Sequence, residues 1–162
     1  SMAPPGESKF AQIIREIDAS YLTGPDLADL ETLAKGDALA SLREHEKEGL
    51  CHTVWTYVPP FIGGICNCDR SDCMGMRSTV THGIPVMFRA EYVSQVNPDL
   101  CNGCRECLRV CQFGAMTWSA ALKKVTIDPR RCYGCGVCRS SCTKDAITLH
   151  GRATVPIAAT IW

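Results

Sequence analysis

Apolar residues fall at helical spacing in the first third of the chain and alternate, strand-like, in the last third. Phe10, Ile13, Ile14, Ile17 and Tyr21 share one helical face, and after the Gly24-Pro25-Asp26 break Leu27, Leu30 and Leu33 share another. A third helix is predicted over Asp37 to Glu48, carrying Leu39 and Leu42 and stopping at Gly49. These stripes read as packing surface without chemistry. Leu50 to Val58 is rich in β-branched and aromatic residues, which predicts a strand ended by Pro59-Pro60.

The second half repeats itself. Pro98, Cys101, Gly103, Cys104, Cys107, Cys111, Ala115 and Thr117 match Pro129, Cys132, Gly134, Cys135, Cys138, Cys142, Ala146 and Thr148 at a constant offset of 31 residues. Each copy reads as a strand (Tyr92 to Val96, then Val125 to Ile127), a proline turn, a cysteine run closing in a short helix, and a second strand (Ala115 to Trp118, then Ala146 to Leu149). Two copies paired through their strands predict a small pseudo-twofold α+β module. The organisation expected is a helical region over 1–50, a Cys-rich metal-binding segment over 51–87, the duplicated module over 88–150 and a tail over 151–162. A module of this size buries too little apolar surface to stand on its core alone, so it needs an internal staple.

Composition narrows the choice. The chain has 162 residues, 46% of them apolar, which excludes disordered and collagen-like classes. No apolar stretch reaches the ~18 residues of a membrane helix. The absence of a basic-then-apolar leader places the chain, as an expectation, in the cytoplasm. Ser1-Met2 reads as a cloning remnant, which leaves the natural start open. Twelve cysteines in a reducing compartment point to metal rather than to disulfides.

Cys101, Cys104, Cys107 and Cys111 have the spacing C-x2-C-x2-C-x3-C, and Cys132, Cys135, Cys138 and Cys142 repeat it. This run is the bacterial iron–sulfur signature, in which three cysteines hold one cluster and the fourth ligates the other. Tight turns point successive thiolates inward, and the last corner comes from the opposite copy. Cys101, Cys104, Cys107 and Cys142 are therefore expected around one 4Fe-4S cluster, and Cys132, Cys135, Cys138 and Cys111 around a second. A zinc ribbon would leave half of each run unexplained, since zinc is satisfied by four ligands. Gly103, Gly134 and Gly136 inside the runs suit a loop that wraps closely around a cluster.

On these residues the chain resembles the dicluster bacterial ferredoxin family over about 88–150. It departs from the family's usual proline after the fourth cysteine, having Gln112 and Thr143 there. Residues 1–85 carry 12 acidic and 7 basic side chains, whereas residues 86–162 carry 5 and 10. Two clusters with their thiolates bring about −4, which this positive half offsets. Arg105, Arg109, Lys123, Lys124, Arg130, Arg131, Arg139 and Lys144 also offer a docking face for an acidic redox partner. No aromatic-interleaved basic stripe or recognition motif accompanies them, so nucleic acid is not expected.

Upstream, Cys66, Cys68 and Cys73 form C-x-C-x4-C after Gly49-Leu50-Cys51-His52. In an extended segment Cys66 and Cys68 face the same side, and of adjacent Cys51 and His52 one supplies a fourth ligand. Cys51 would make a four-thiolate site for zinc or a further iron–sulfur cluster, and His52 a structural zinc site. The Gly-Leu-x-His and Ile-Cys-Asn-Cys pair is similar to the segment preceding the dicluster module in larger anaerobic iron–sulfur proteins. That resemblance implies His52.

The function expected is single-electron transfer through two low-potential 4Fe-4S clusters, as a ferredoxin or as the electron-transfer portion of a larger oxidoreductase. The competing reading is a metal-stapled binding or redox-sensing module without electron flux. Nothing in the chain forms a dinucleotide loop, a phosphate loop or a nucleophile–base pair, so a stand-alone enzyme is not indicated. The oligomeric state is not legible.

Overall fold

The computed structural model describes residues 33–56 and 62–161. The predicted helical faces from Phe10 to Leu30 and the strand end from Tyr57 to Pro60 lie outside them. The third helix is present as α1, Lys35–Lys47. Its end is a Schellman cap: Gly49 takes φ +86°, its N–H donates to Glu46 O at 3.1 Å, and Leu50 N–H donates to His45 O at 3.0 Å. No residue of α1 is buried, and Leu39 is 42% exposed. Of the expected packing stripe, Leu39 is thus exposed and Leu42 half-buried. The helix meets the rest of the chain at its C-terminal end, where Glu46 accepts a hydrogen bond from Ser140.

β1, Cys51–Thr56, pairs antiparallel with β2, Ile62–Cys68, in the register Cys51↔Cys68, His52↔Asn67 and Thr53↔Cys66. A one-turn helix α2, Met74–Met76, follows, with Cys73 Sγ accepting from Met76 N–H at 3.5 Å, and the chain continues as a π turn over Arg77–Thr81.

The repeated half forms two antiparallel ribbons. β3, Tyr92–Val96, pairs with β6, Ile147–Gly151, and β4, Met116–Ser119, pairs with β5, Lys124–Ile127. The short helices α3, Glu106–Arg109, and α4, Val137–Ser140, occupy equivalent places in the two copies. Left-handed backbone recurs with them, at Gly103 and Gly134, at Arg105 and Gly136, and at Gly114 and Asp145. A Cβ on Gly134 would stand 2.1 Å from Tyr92 O, and one on Gly103 would stand 2.3 Å from Lys123 O, so both ligand loops press directly on a strand or turn.

Among the described residues three small groups are buried, and each contains cysteine. Val93, Ala115, Cys132, Val155 and Ala158 form one, Cys107, Met116, Val125, Cys138 and Ile147 a second, and Cys51, Met76, Phe113 and Val137 a third. After β6 a 3-10 turn at Arg152–Thr154 folds the tail back, which buries Val155 and Ala158 against Cys132.

Candidate functional site

Two cavities open inside the repeated module, and the eight repeat cysteines divide between them. Cys111, Cys132, Cys135 and Cys138 line one, and Cys101, Cys104, Cys107 and Cys142 line the other. Each set of four thus takes its last member from the other copy. All eight are free thiols. Among the described residues no three His, Cys, Asp or Glu side chains are gathered as for a single metal ion. In the repeated module the sulfurs surround a space, not a point.

The thiols resist ionisation in these cages. Burial, followed by the repulsion of Cys138, Cys104, Cys142 and Cys101, pushes Cys107 up to about 12. Burial does the same to Cys138, which is pushed up to about 12 against the opposing pull of a hydrogen bond with Ser94 Oγ at 3.4 Å. Cys135 is raised chiefly by a hydrogen bond with Cys51 and then by burial. Thiolates so crowded coexist only around a positively charged core, which metal supplies while deprotonating its ligands. The surrounding backbone is ready for them: Ser94 N–H points at Cys132 Sγ at 3.5 Å, and Ala115 N–H at Cys111 Sγ at 3.3 Å. The donor set of each cavity fits an iron–sulfur cube, and in the one lined by Cys111 and Cys132 amide dipoles already point at sulfur.

The two cavities differ in their walls. Phe113 stacks on Tyr133 at 4.2 Å and 11°, and Arg89 lies 4.5 Å over the Tyr133 ring. On the other side Arg105 lies 4.5 Å over Trp118, and beside it Gly103, Cys104, Arg105, Leu108 and Arg109 line an open cleft. Cys104 is the exposed thiol of its set.

The upstream cysteines lie near one another without closing on a single point. Burial, then Cys73 and Cys66, raise the Cys68 thiol, which is hydrogen-bonded to Cys73. Cys51 is fully buried and packs with Cys68, Cys73 and Cys135 around it. His52 is placed apart from them. Strand alternation sets it on the face opposite Cys51, Cys66 and Cys68, where Nδ1 lies 2.7 Å from Asn67 Oδ1. His52 therefore does not share the strand face of Cys66 and Cys68, on which the resemblance would have it ligate.

Sequence reasoning missed three contributors. Ser94 bonds two cage sulfurs. Gln112, in the place of the family's proline, donates to Gly49 O at 3.2 Å and accepts from Arg70 N–H at 3.1 Å. Arg152 is fully buried beside Cys132. Gln112 carried a signal, as the departure from the pattern; the other two lie far in sequence from what they touch.

Residues 100–146 match the 4Fe-4S dicluster domain family. The indolepyruvate oxidoreductase subunit IorA of Pyrococcus abyssi is 41% identical over 54 residues, 33% of this chain and 8% of that protein. The ferredoxin-like protein YdhY of Escherichia coli is 41% identical over 46 residues, 27% of this chain and 22% of that protein. An archaeal-type glutamate synthase [NADPH] of Thermotoga maritima is 32% identical over 60 residues, 37% of this chain and 12% of that protein. The chain thus spans less than a quarter of each of these relatives. The similarity of residues 100–146 to a 4Fe-4S dicluster domain supports an iron–sulfur electron-transfer function. Among the described residues no helix is long and apolar enough to cross a membrane.

Proposed function

We propose that the pseudo-twofold module over 88–150 holds two low-potential 4Fe-4S clusters, one on Cys101, Cys104, Cys107 and Cys142 and one on Cys132, Cys135, Cys138 and Cys111, and passes single electrons within a larger redox assembly. A bound cluster of this kind takes up and gives back one electron without making or breaking a substrate bond. The chain's residues do the rest. The Ser94 and Ala115 amides aim donors at sulfur, and Phe113 and Tyr133 wall one cavity from water. The division of the cysteines into two four-sulfur cavities, each completed from the opposite copy, carries this reading. Anaerobic reconstitution should give about eight irons and eight sulfides per chain and two one-electron reductions seen by electron spin resonance. A colourless chain holding only zinc would overturn it.

The cleft at Cys104 is where an acidic redox partner would approach, because Arg105 and Arg109 flank the exposed end of that set. Its transfer rate should fall steeply with salt and drop with Arg105→Glu and Arg109→Glu, each chain keeping its full iron. A cytoplasmic, anaerobic setting suits clusters this close to the surface.

A third centre follows from the upstream placement. Cys66, Cys68 and Cys73 are proposed to hold a third metal, with Cys51 as fourth ligand, since the register puts Cys51 opposite Cys68 on the shared face. Metal content identifies it: one zinc beyond about eight irons, or about twelve irons in all. About eight irons and no zinc would remove the third site.

A further inference from the structure

The first cysteine of each run has its carbonyl capped by a cation, and the two cations differ in exposure. Cys101 O accepts from Lys124 Nζ, a half-buried side chain on β5. Cys132 O accepts from Arg152 Nη2 at 2.8 Å, and Arg152 is 0% exposed. Its guanidinium also donates to Ala90 O at 2.8 Å and Tyr92 O at 3.1 Å, so three carbonyls fix it in place. Among the described residues Nη1 is buried with no hydrogen-bond partner. A guanidinium keeps its charge in proteins, and among the described residues no carboxylate bonds this one. The negative group that balances it has to be close. The thiolate set of Cys132, Cys135, Cys138 and Cys111 is the one beside it.

We infer that Arg152 is a potential-setting residue that makes the centre on Cys111, Cys132, Cys135 and Cys138 easier to reduce and separates its potential from that of the other centre. This rests on the two-cluster reading. An added electron raises the negative charge of the centre, and a fixed cation screened by protein, not by water, stabilises that state. Lys124 is partly open to solvent, so its contribution to its own centre is smaller. Arg152 lies outside residues 100–146, so matching the dicluster family does not account for it.

The test is a redox titration of the anaerobic full chain, following the contact-shifted β-proton resonances of the ligand cysteines, which report each centre separately. Arg152→Gln keeps a hydrogen-bond donor and removes the charge. It should weaken reduction of the centre on Cys132 about tenfold or more, ~59 mV for a one-electron couple, and leave the other centre in place. Arg152→Lys should hold the wild-type potential. Lys124→Gln should shift its own centre by less, and Arg131→Gln, at an exposed arginine, should shift neither. The inference is overturned by an R152Q chain whose centre does not move, by equal movement of both centres, or by an R152K chain that moves as far as R152Q. Should R152Q retain no iron, R152K decides: an unchanged potential supports the inference and a one-centre shift refutes it. A wild-type chain with no reducible iron would instead refute the two-cluster reading.

Discussion

Gln112 shows how one side chain joins two parts of the molecule. It stands where the resembled family has proline, and its amide bridges Gly49 O and Arg70 N–H, holding the upstream hairpin against the first ligand run. Gln112→Pro should remove both bonds, roughly 1–3 kcal/mol in sum. Hydrogen exchange should then accelerate around Gly49 and Arg70 while the iron content stays at the wild-type value. Glycines of the ligand loops separate by the space around them. Gly134→Ala puts a methyl group 2.1 Å from Tyr92 O at φ +78°, whereas the nearest atom to one on Gly136 is 3.6 Å away. The first change should cost about 3 kcal/mol or more and the second only the left-handed penalty of about 1–2 kcal/mol. Urea midpoints of the anaerobic chains would rank them.

At the scale of elements, the duplicated strands and short helices were legible because spacing and offset are local properties of the chain. The strands over 92–96, 116–119, 124–127 and 147–151, and the helix stop at Gly49, fall within a residue or two of the reading. What could not be read depends on distant contact. Pairing of β1 with β2 across Pro59-Pro60 and Gly63-Gly64 leaves no short turn signature, and Arg152 meets Ala90 and Tyr92 from 60 and more residues away. Alternation along β1 was legible; which of Cys51 and His52 faces the thiols was not, because that is settled by the register with β2. Cys51→Ser should therefore lower the metal bound beyond about eight irons, and His52→Ala should leave it, as elemental analysis would show.

Among the described residues, thiols are part of every buried apolar group of the molecule. Cys51, Cys107, Cys132 and Cys138 stand among its buried apolar residues. Stripping the metal should therefore remove more than a redox function: far-UV ellipticity should fall and the unfolding transition should broaden, because binding free energy is folding free energy in such modules.

The folding back of Val155 and Ala158 onto Cys132 sets an order of assembly. Both cages have all their sulfurs once Cys142 has been synthesised, but Cys132 of the second gains its cover of Val155 and Ala158, and the Arg152 bond to its carbonyl, only when the tail has followed. Iron should enter the two cages in succession during biosynthesis, and a chain stopped at Gly151 should keep about four irons of about eight.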